Sequence, residues 1–256
     1  MSTVFDFYQH LGWGLSALVI GTFLLAGMVK GVIGLGLPTV AMGLLGLAML
    51  PAQAAALLII PSTLTNVWQL AAGGNLRPLL KRLWPMLSMI GIGTLAGSFW
   101  LGMSGSHSMT RVLGGALLLY ALSGLFLPTF KVAASAERWL GPLCGLVAGV
   151  IASASGVFVI PAVPYLQALG LERNQLIQAL GLSFTVSTLA LAVALSWSGA
   201  LGGAELGASM LALALAPALL GMLFGQWLRQ RISAVLFKRM FFIGMGLLGL
   251  HLLIAG

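Results

Sequence analysis

Three stretches place polar or conformationally special residues inside otherwise apolar sequence. KGVIGLGLP, residues 30–38, carries Lys30, Gly34, Gly36 and Pro38. Two glycines and a proline within five residues break or bend a helix. SASG, residues 153–156, supplies Ser153, Ser155 and Gly156, and Pro161 and Pro164 follow. The third feature is a pair of polar stripes, PSTLTN (61–66) with Gln69 and SFTVST (183–188) with Gln178. Thr63 aligns with Thr185, Thr65 with Ser187, and Asn66 with Thr188. Hydroxyls, amides and the free N–H groups of half-helices can replace the water shell of an anion. The expected substrate-binding set is these glycines, Pro38, the three aligned pairs, Gln69, Ser153 and Ser155. Each hydroxyl has a simpler use as well, a bond to the carbonyl four residues back in its own helix. Lys30 either snorkels to the interface or recruits anions at an inner mouth.

What is missing narrows the chemistry. Asp6, Glu137, Glu172 and Glu205 all map to loops or termini, so no span carries a carboxylate. A cation site or a carboxylate proton relay usually shows one. His10, His107 and His251 are scattered, which argues against a metal site, and no cofactor is expected. No paired acid or Ser/His pair lies at depth, so the chain does not read as an enzyme. Cys144 is alone and can form no intrachain disulfide.

These residues sit in a chain made for lipid. Of 256 residues 60% are hydrophobic and 6% charged, against about 25% charged in soluble domains. A net charge of +8 therefore does not mark a nucleic-acid binder; the surroundings implied are a lipid bilayer. The apolar runs are continuous, which excludes the alternating pattern of a membrane β-barrel. The start, MSTVFDFYQH, lacks Lys and Arg before the first apolar run and does not read as a cleaved signal peptide.

The halves repeat. LAGMVKGVI (25–33) lies over LCGLVAGVI (143–151), and GTLAG (93–97) over GMLFG (221–225). The expected fold is all-α and polytopic, with repeats at 1–130 and 131–256 of about five hydrophobic segments each. In the first they fall at about 11–33, 35–50, 53–72, 83–102 and 110–128. In the second they fall at about 140–152, 154–169, 174–197, 206–228 and 238–255. Segments 35–50, 140–152 and 154–169 are short for a span. The small-xxx-small pairs Gly27/Gly31, Gly93/Gly97, Gly145/Gly149 and Gly221/Gly225 suit close helix packing. Seven tryptophans lie near segment ends, where indole prefers the interface.

Loop charge sets direction. Arg77, Lys81 and Arg82 follow segment three of the first half, whereas the matching link in the second half has only Glu205. The next link reverses this, with Arg111 alone against Arg229, Arg231, Lys238 and Arg239. Equivalent loops of opposite bias imply an inverted repeat with broken or re-entrant helices meeting near the midplane. With the amino terminus outside, every Lys and Arg except Arg111 falls on the cytoplasmic side.

A glycine-rich break, a proline five residues on and an Ala- and Ser-bearing helix, occurring twice, resemble the sulfite exporter TauE/SafE family. The likeness covers nearly the whole chain. Gly149, Gly156, Pro161, Ala179 and Ser183 fit the pattern in the second half, and Gly31, Gly34 and Gly36 in the first. Gly43 stands where that family has proline, and Pro61 where it has serine. The resemblance implies export of sulfite, sulfoacetate or a similar sulfur oxyanion or organosulfonate across the bacterial inner membrane. Alternating access around the broken helices is the expected mechanism. A membrane enzyme or assembly factor acting on lipid is the competing reading. The identity of the anion, the coupling and the oligomeric state stay open, a homodimer being one option.

Overall fold

A computed structural model gives the fold and describes residues 13–71, 74, 76–101, 107–127, 131–197 and 208–255. Among the described residues there are ten helices and no strand. The first half holds α1 (Trp13–Ile33), α2 (Leu37–Leu45), α3 (Pro51–Ala71), α4 (Leu76–Leu101) and α5 (His107–Phe126). The second holds α6 (Ala134–Ser155), α7 (Ala162–Ala168), α8 (Arg173–Trp197), α9 (Ala208–Leu228) and α10 (Ala234–Ala255). By length and composition, seven of them can cross a membrane: α1, α3, α4, α5, α6, α8 and α10. The helix α9 is apolar over Leu213–Leu228.

Two expected boundaries need correction. The segment placed at 140–152 is not short, because α6 begins at Ala134 and runs for 22 residues. Likewise α4 begins at Leu76 rather than 83, passing through Arg77, Lys81 and Arg82. Charge marks where water and headgroups begin, whereas the helical hydrogen bonds continue past that plane. The extended turns make contacts of their own. Arg82 donates to Glu137 through Nε (2.9 Å) and Nη2 (2.6 Å), and Nη2 also reaches the Leu169 carbonyl at 3.3 Å. The starts of α4 and α6 and the end of α7 therefore meet at one end of the bundle. At the other end, Gly46–Leu50, Thr110, His251 and Ala255 share a cleft.

The two halves share a capping contact. Gln53 Oε1 accepts the Leu50 N–H (3.1 Å) at the start of α3, and Gln175 Oε1 accepts the Glu172 N–H (3.2 Å) at the start of α8. Both are the reach-back half of a capping box. The helix pairings repeat too. The helix α1 packs along α9 and α4 along α6, while α3 packs on α8 and α5 on α10. Exchanging each helix for its counterpart leaves this set unchanged.

The glycine pairs explain the closest contacts. A Cβ at Gly27 would strike the Ala218 carbonyl, and one at Gly31 the Met222 carbonyl, so α1 and α9 run parallel. Gly93 meets Leu146 and Gly97 meets Val150 and Ser153, so α4 and α6 also run parallel. Where lipid is as apolar as the protein, such backbone approach supplies the attraction between helices. The other two pairs are antiparallel. Ser62 meets Thr188 and Leu70 meets Gln178 between α3 and α8. Gly114 meets Leu253 and Gly124 meets Phe242 between α5 and α10.

Both expected breaks are present. After Ile33 the chain turns through Gly34 (φ 80°) and Gly36 (φ 105°) before α2. After Ser155 it turns through Gly156 (φ 70°) and a cis Ile160–Pro161 peptide before α7. Positive φ is cheap only for glycine, and space is short as well. A Cβ at Gly36 would stand 2.8 Å from Val29, and one at Gly156 2.6 Å from the Met42 methyl. Trp68, Trp84, Trp100, Trp139, Trp197 and Trp227 are all exposed, as interface anchors should be.

Candidate functional site

The polar interior is organised by a lysine. Lys30 lies in the last turn of α1 and is 2% exposed. Its Nζ donates to Thr65 Oγ1 at 3.0 Å and to Asn66 Oδ1, both on α3. Asn66 Nδ2 in turn donates to Ser62 Oγ at 3.3 Å, and Ser62 Oγ and Thr188 Oγ1 share a bond of 3.2 Å. A continuous layer of polar groups thus crosses from α1 through α3 to α8. Among the described residues no carboxylate lies within 4.0 Å of Lys30; their ion pair is Arg82–Glu137, elsewhere. Ala148 occupies the aligned position of the second half, so the buried charge is one-sided.

The snorkelling expectation for Lys30 does not hold. Position 30 falls on the face of α1 that looks at α3, where two oxygens accept its protons. That outcome was hidden in the sequence because the acceptors are neutral and 35 and 36 residues away.

Two cavities flank the layer. A cleft of about 140 Å³ is lined by Lys30, Gly34 and Gln69, with Asn174, Gln226 and Arg229 from the other half. Gln69 Nε2 donates to the Gly34 carbonyl at 2.6 Å, holding α3 to the first break. Its Oε1 is buried without a partner. Beyond the Ser62–Thr188 contact lies a tight chamber of about 10 Å³, close to the limit for one water. Pro38, Gly156, Ser187 and Thr188 line it, with Phe158 edge-on to Phe184 at 5.9 Å.

The expected residues therefore divide. Gly34 and Gln69 line the cleft with Lys30, and Thr65 and Asn66 hold its ammonium. Pro38, Gly156, Ser187 and Thr188 come together at the chamber. The others line neither cavity. Thr63 donates to the Ile59 carbonyl and Thr185 to the Gly181 carbonyl, each at 2.7 Å. Ser153 donates to Val150 (2.7 Å) and abuts Gly97 of α4. Ser155 donates to Ile151 (2.8 Å) and accepts the Val157 N–H (3.2 Å), closing the end of α6. Gly36 shapes the break beside Val29 and Phe241.

Asn174, Gln226 and Arg229 were not among the expected site residues. Gln226 was legible, as an amide inside the apolar α9 one turn before Arg229. Arg229 read as an ordinary loop charge; burial, with Arg173 nearby, instead holds its guanidinium pKa below the usual value. Among the described residues no cluster of three or more His, Cys, Asp or Glu could hold a metal.

Comparison with known proteins places the chain in a family. No curated protein and no solved structure matches the chain. A family profile described as sulfite exporter TauE/SafE matches residues 19–252, a span that takes in both breaks, both polar stripes and Lys30. The chain belongs to the sulfite exporter TauE/SafE family.

Proposed function

We propose that the protein exports a small sulfur oxyanion or organosulfonate, such as sulfite or sulfoacetate, as a secondary transporter working by alternating access. The family is one of membrane exporters, and seven apolar helices make this chain a multi-pass membrane protein. The observation that carries the reading is the buried Lys30 ammonium with two neutral acceptors. Burying an unpaired charge costs several kcal/mol, and neutral hydrogen bonds offset only part of that. An anion in the adjoining cleft supplies the missing negative charge, while the amides of Gln69, Asn174 and Gln226 replace its water.

The helix directions support alternating access. The counterparts α3 and α8 run antiparallel, as do α5 and α10, which is the arrangement of halves inserted in opposite senses. Lys30 is reached by a cleft from the Arg229 end, and the chamber beyond Ser62 and Thr188 is nearly closed. This fits a state open toward the basic end of the bundle. The positive-inside rule makes that end cytoplasmic and puts the amino terminus outside. In a bacterial inner membrane the potential is worth about 2.3 kcal/mol per charge per 100 mV and drives an anion outward.

Flux into liposomes containing the purified protein tests the reading. Sulfite or sulfoacetate should move in proportion to an imposed potential, and thiosulfate or sulfate should compete. Absence of flux for every small anion on the panel, with turnover of lipid instead, would establish the enzyme reading.

A further inference from the structure

A second cleft, of about 210 Å³, opens beside the first break. Its cations are Arg173 at the start of α8, Arg229 after α9 and Lys238 near the start of α10. The rest of its lining is mostly apolar: Val32 and Leu35 at the break, and Leu176 and Leu180 on α8. Among the described residues no acidic one lines it. An exposed tryptophan with a cation on its ring suits headgroup depth. Trp227, two residues before Arg229, is exposed and carries the Arg231 guanidinium 4.1 Å above its ring.

A small hydrated oxyanion gains nothing from Val32, Leu35, Leu176 and Leu180. A molecule with a negative head and a hydrocarbon chain satisfies both parts of the lining at once. We infer that this cleft is a binding site for an anionic phospholipid of the inner leaflet, its phosphate held by Arg173, Arg229 and Lys238 and its acyl chain laid along the apolar wall. Charge complementarity selects the occupant, as basic pockets between membrane helices do on the cytoplasmic side. Burial, and after it the nearby Arg173, holds the Arg229 guanidinium below its usual pKa, and a phosphate between the two cations would supply the opposite charge. The site adjoins the transport cleft, because Arg229 and Ile177 line both.

Native mass spectrometry of the full chain in a neutral detergent tests the inference. The probes are phosphatidylglycerol, phosphatidylcholine with the same acyl chains, and glycerol phosphate as a headgroup without chains. Phosphatidylglycerol should bind about tenfold tighter than phosphatidylcholine, and glycerol phosphate should compete poorly. Arg173→Gln and Lys238→Gln should each weaken phosphatidylglycerol about fivefold, while Arg173→Lys and Lys238→Arg keep the preference. Arg77→Gln with Lys81→Gln, on α4, should leave it unchanged. Equal binding of the two lipids overturns the inference. So does a lipid preference that survives in Arg173→Gln/Lys238→Gln protein melting like the wild type. Competition by glycerol phosphate as strong as that of the lipid would instead make the cleft a mouth for soluble anions.

Discussion

Lys30 on α1 donates its ammonium to Asn66 Oδ1 on α3, and Asn66 passes a hydrogen bond on to Ser62. The side chain that holds the buried charge is thus the one that joins it to Thr188 of the other half. A charge held only by neutral groups is stabilised incompletely, and an anion completes it. Stability and affinity should therefore respond in opposite directions when the charge is removed.

Lys30→Gln keeps a hydrogen-bonding side chain and deletes the charge. Replacing a buried uncompensated ion is neutral or stabilising, so the melting temperature should hold or rise. Affinity for sulfite should fall about ten- to a hundredfold, the worth of a bond to a charged group. Leu119→Val, on the exposed face of α5, serves as the control and should change neither. Unchanged affinity in Lys30→Gln would remove Lys30 from the site.

The close helix pairs give a stability test independent of transport. A side chain at Gly221 meets the Leu24 carbonyl and at Gly225 the Met28 carbonyl, and backbone cannot swing aside. Gly221→Val should destabilise the protein by about 1–3 kcal/mol. Gly115→Ala, with nothing within 4 Å of the added carbon, should be neutral or gain up to about 1 kcal/mol of helix propensity. Equal thermal shifts for the two variants would contradict the packing account.

Much of this was legible in the sequence, for reasons that differ by residue. Positive φ needs glycine, so GLG at 34–36 and Gly156 disclosed both breaks. Close approach needs small side chains, so the glycine pairs marked which helices pack closely, though not that α1 meets α9 and α4 meets α6. Gln69 and Asn66, three residues apart, do share a face turned toward α1 and the break after it. Helix ends were less visible, because Arg77 and Glu137 mark the interface rather than the end of hydrogen bonding. Side-chain direction was least visible. Nothing local distinguishes Ser187, which lines the chamber, from Thr185, which bonds its own helix. The cleft residues Asn174 and Arg229 become neighbours of Lys30 only when α8 and α9 are placed.

Topology can be read by labelling. In a Cys144→Ala background, a cysteine at Ala48, exposed between α2 and α3, should react from outside the cell. One at Ser135, exposed at the start of α6, should react from the cytoplasm. Ser106, in the link before Arg111 that the charge pattern places outside, lies outside the described residues. Modification of both cysteines from one side would contradict the opposed insertion of the halves.

The most direct test of the central claim gives Lys30 a counter-ion of its own. Asn66→Asp puts a carboxylate where the Oδ1 acceptor stands, so the ammonium no longer lacks a negative partner. A buried ion pair resists separation, and a substrate anion would have to displace it. Asn66→Leu is the companion variant: it removes the acceptor without adding charge and should destabilise the protein by about 1–3 kcal/mol. Sulfite flux and melting temperature are measured on the same preparation of each. The account predicts that Asn66→Asp melts at or above the wild-type temperature while its flux falls at least about thirtyfold. Wild-type flux through folded Asn66→Asp would contradict it, because the substrate would then not be the counter-charge of Lys30.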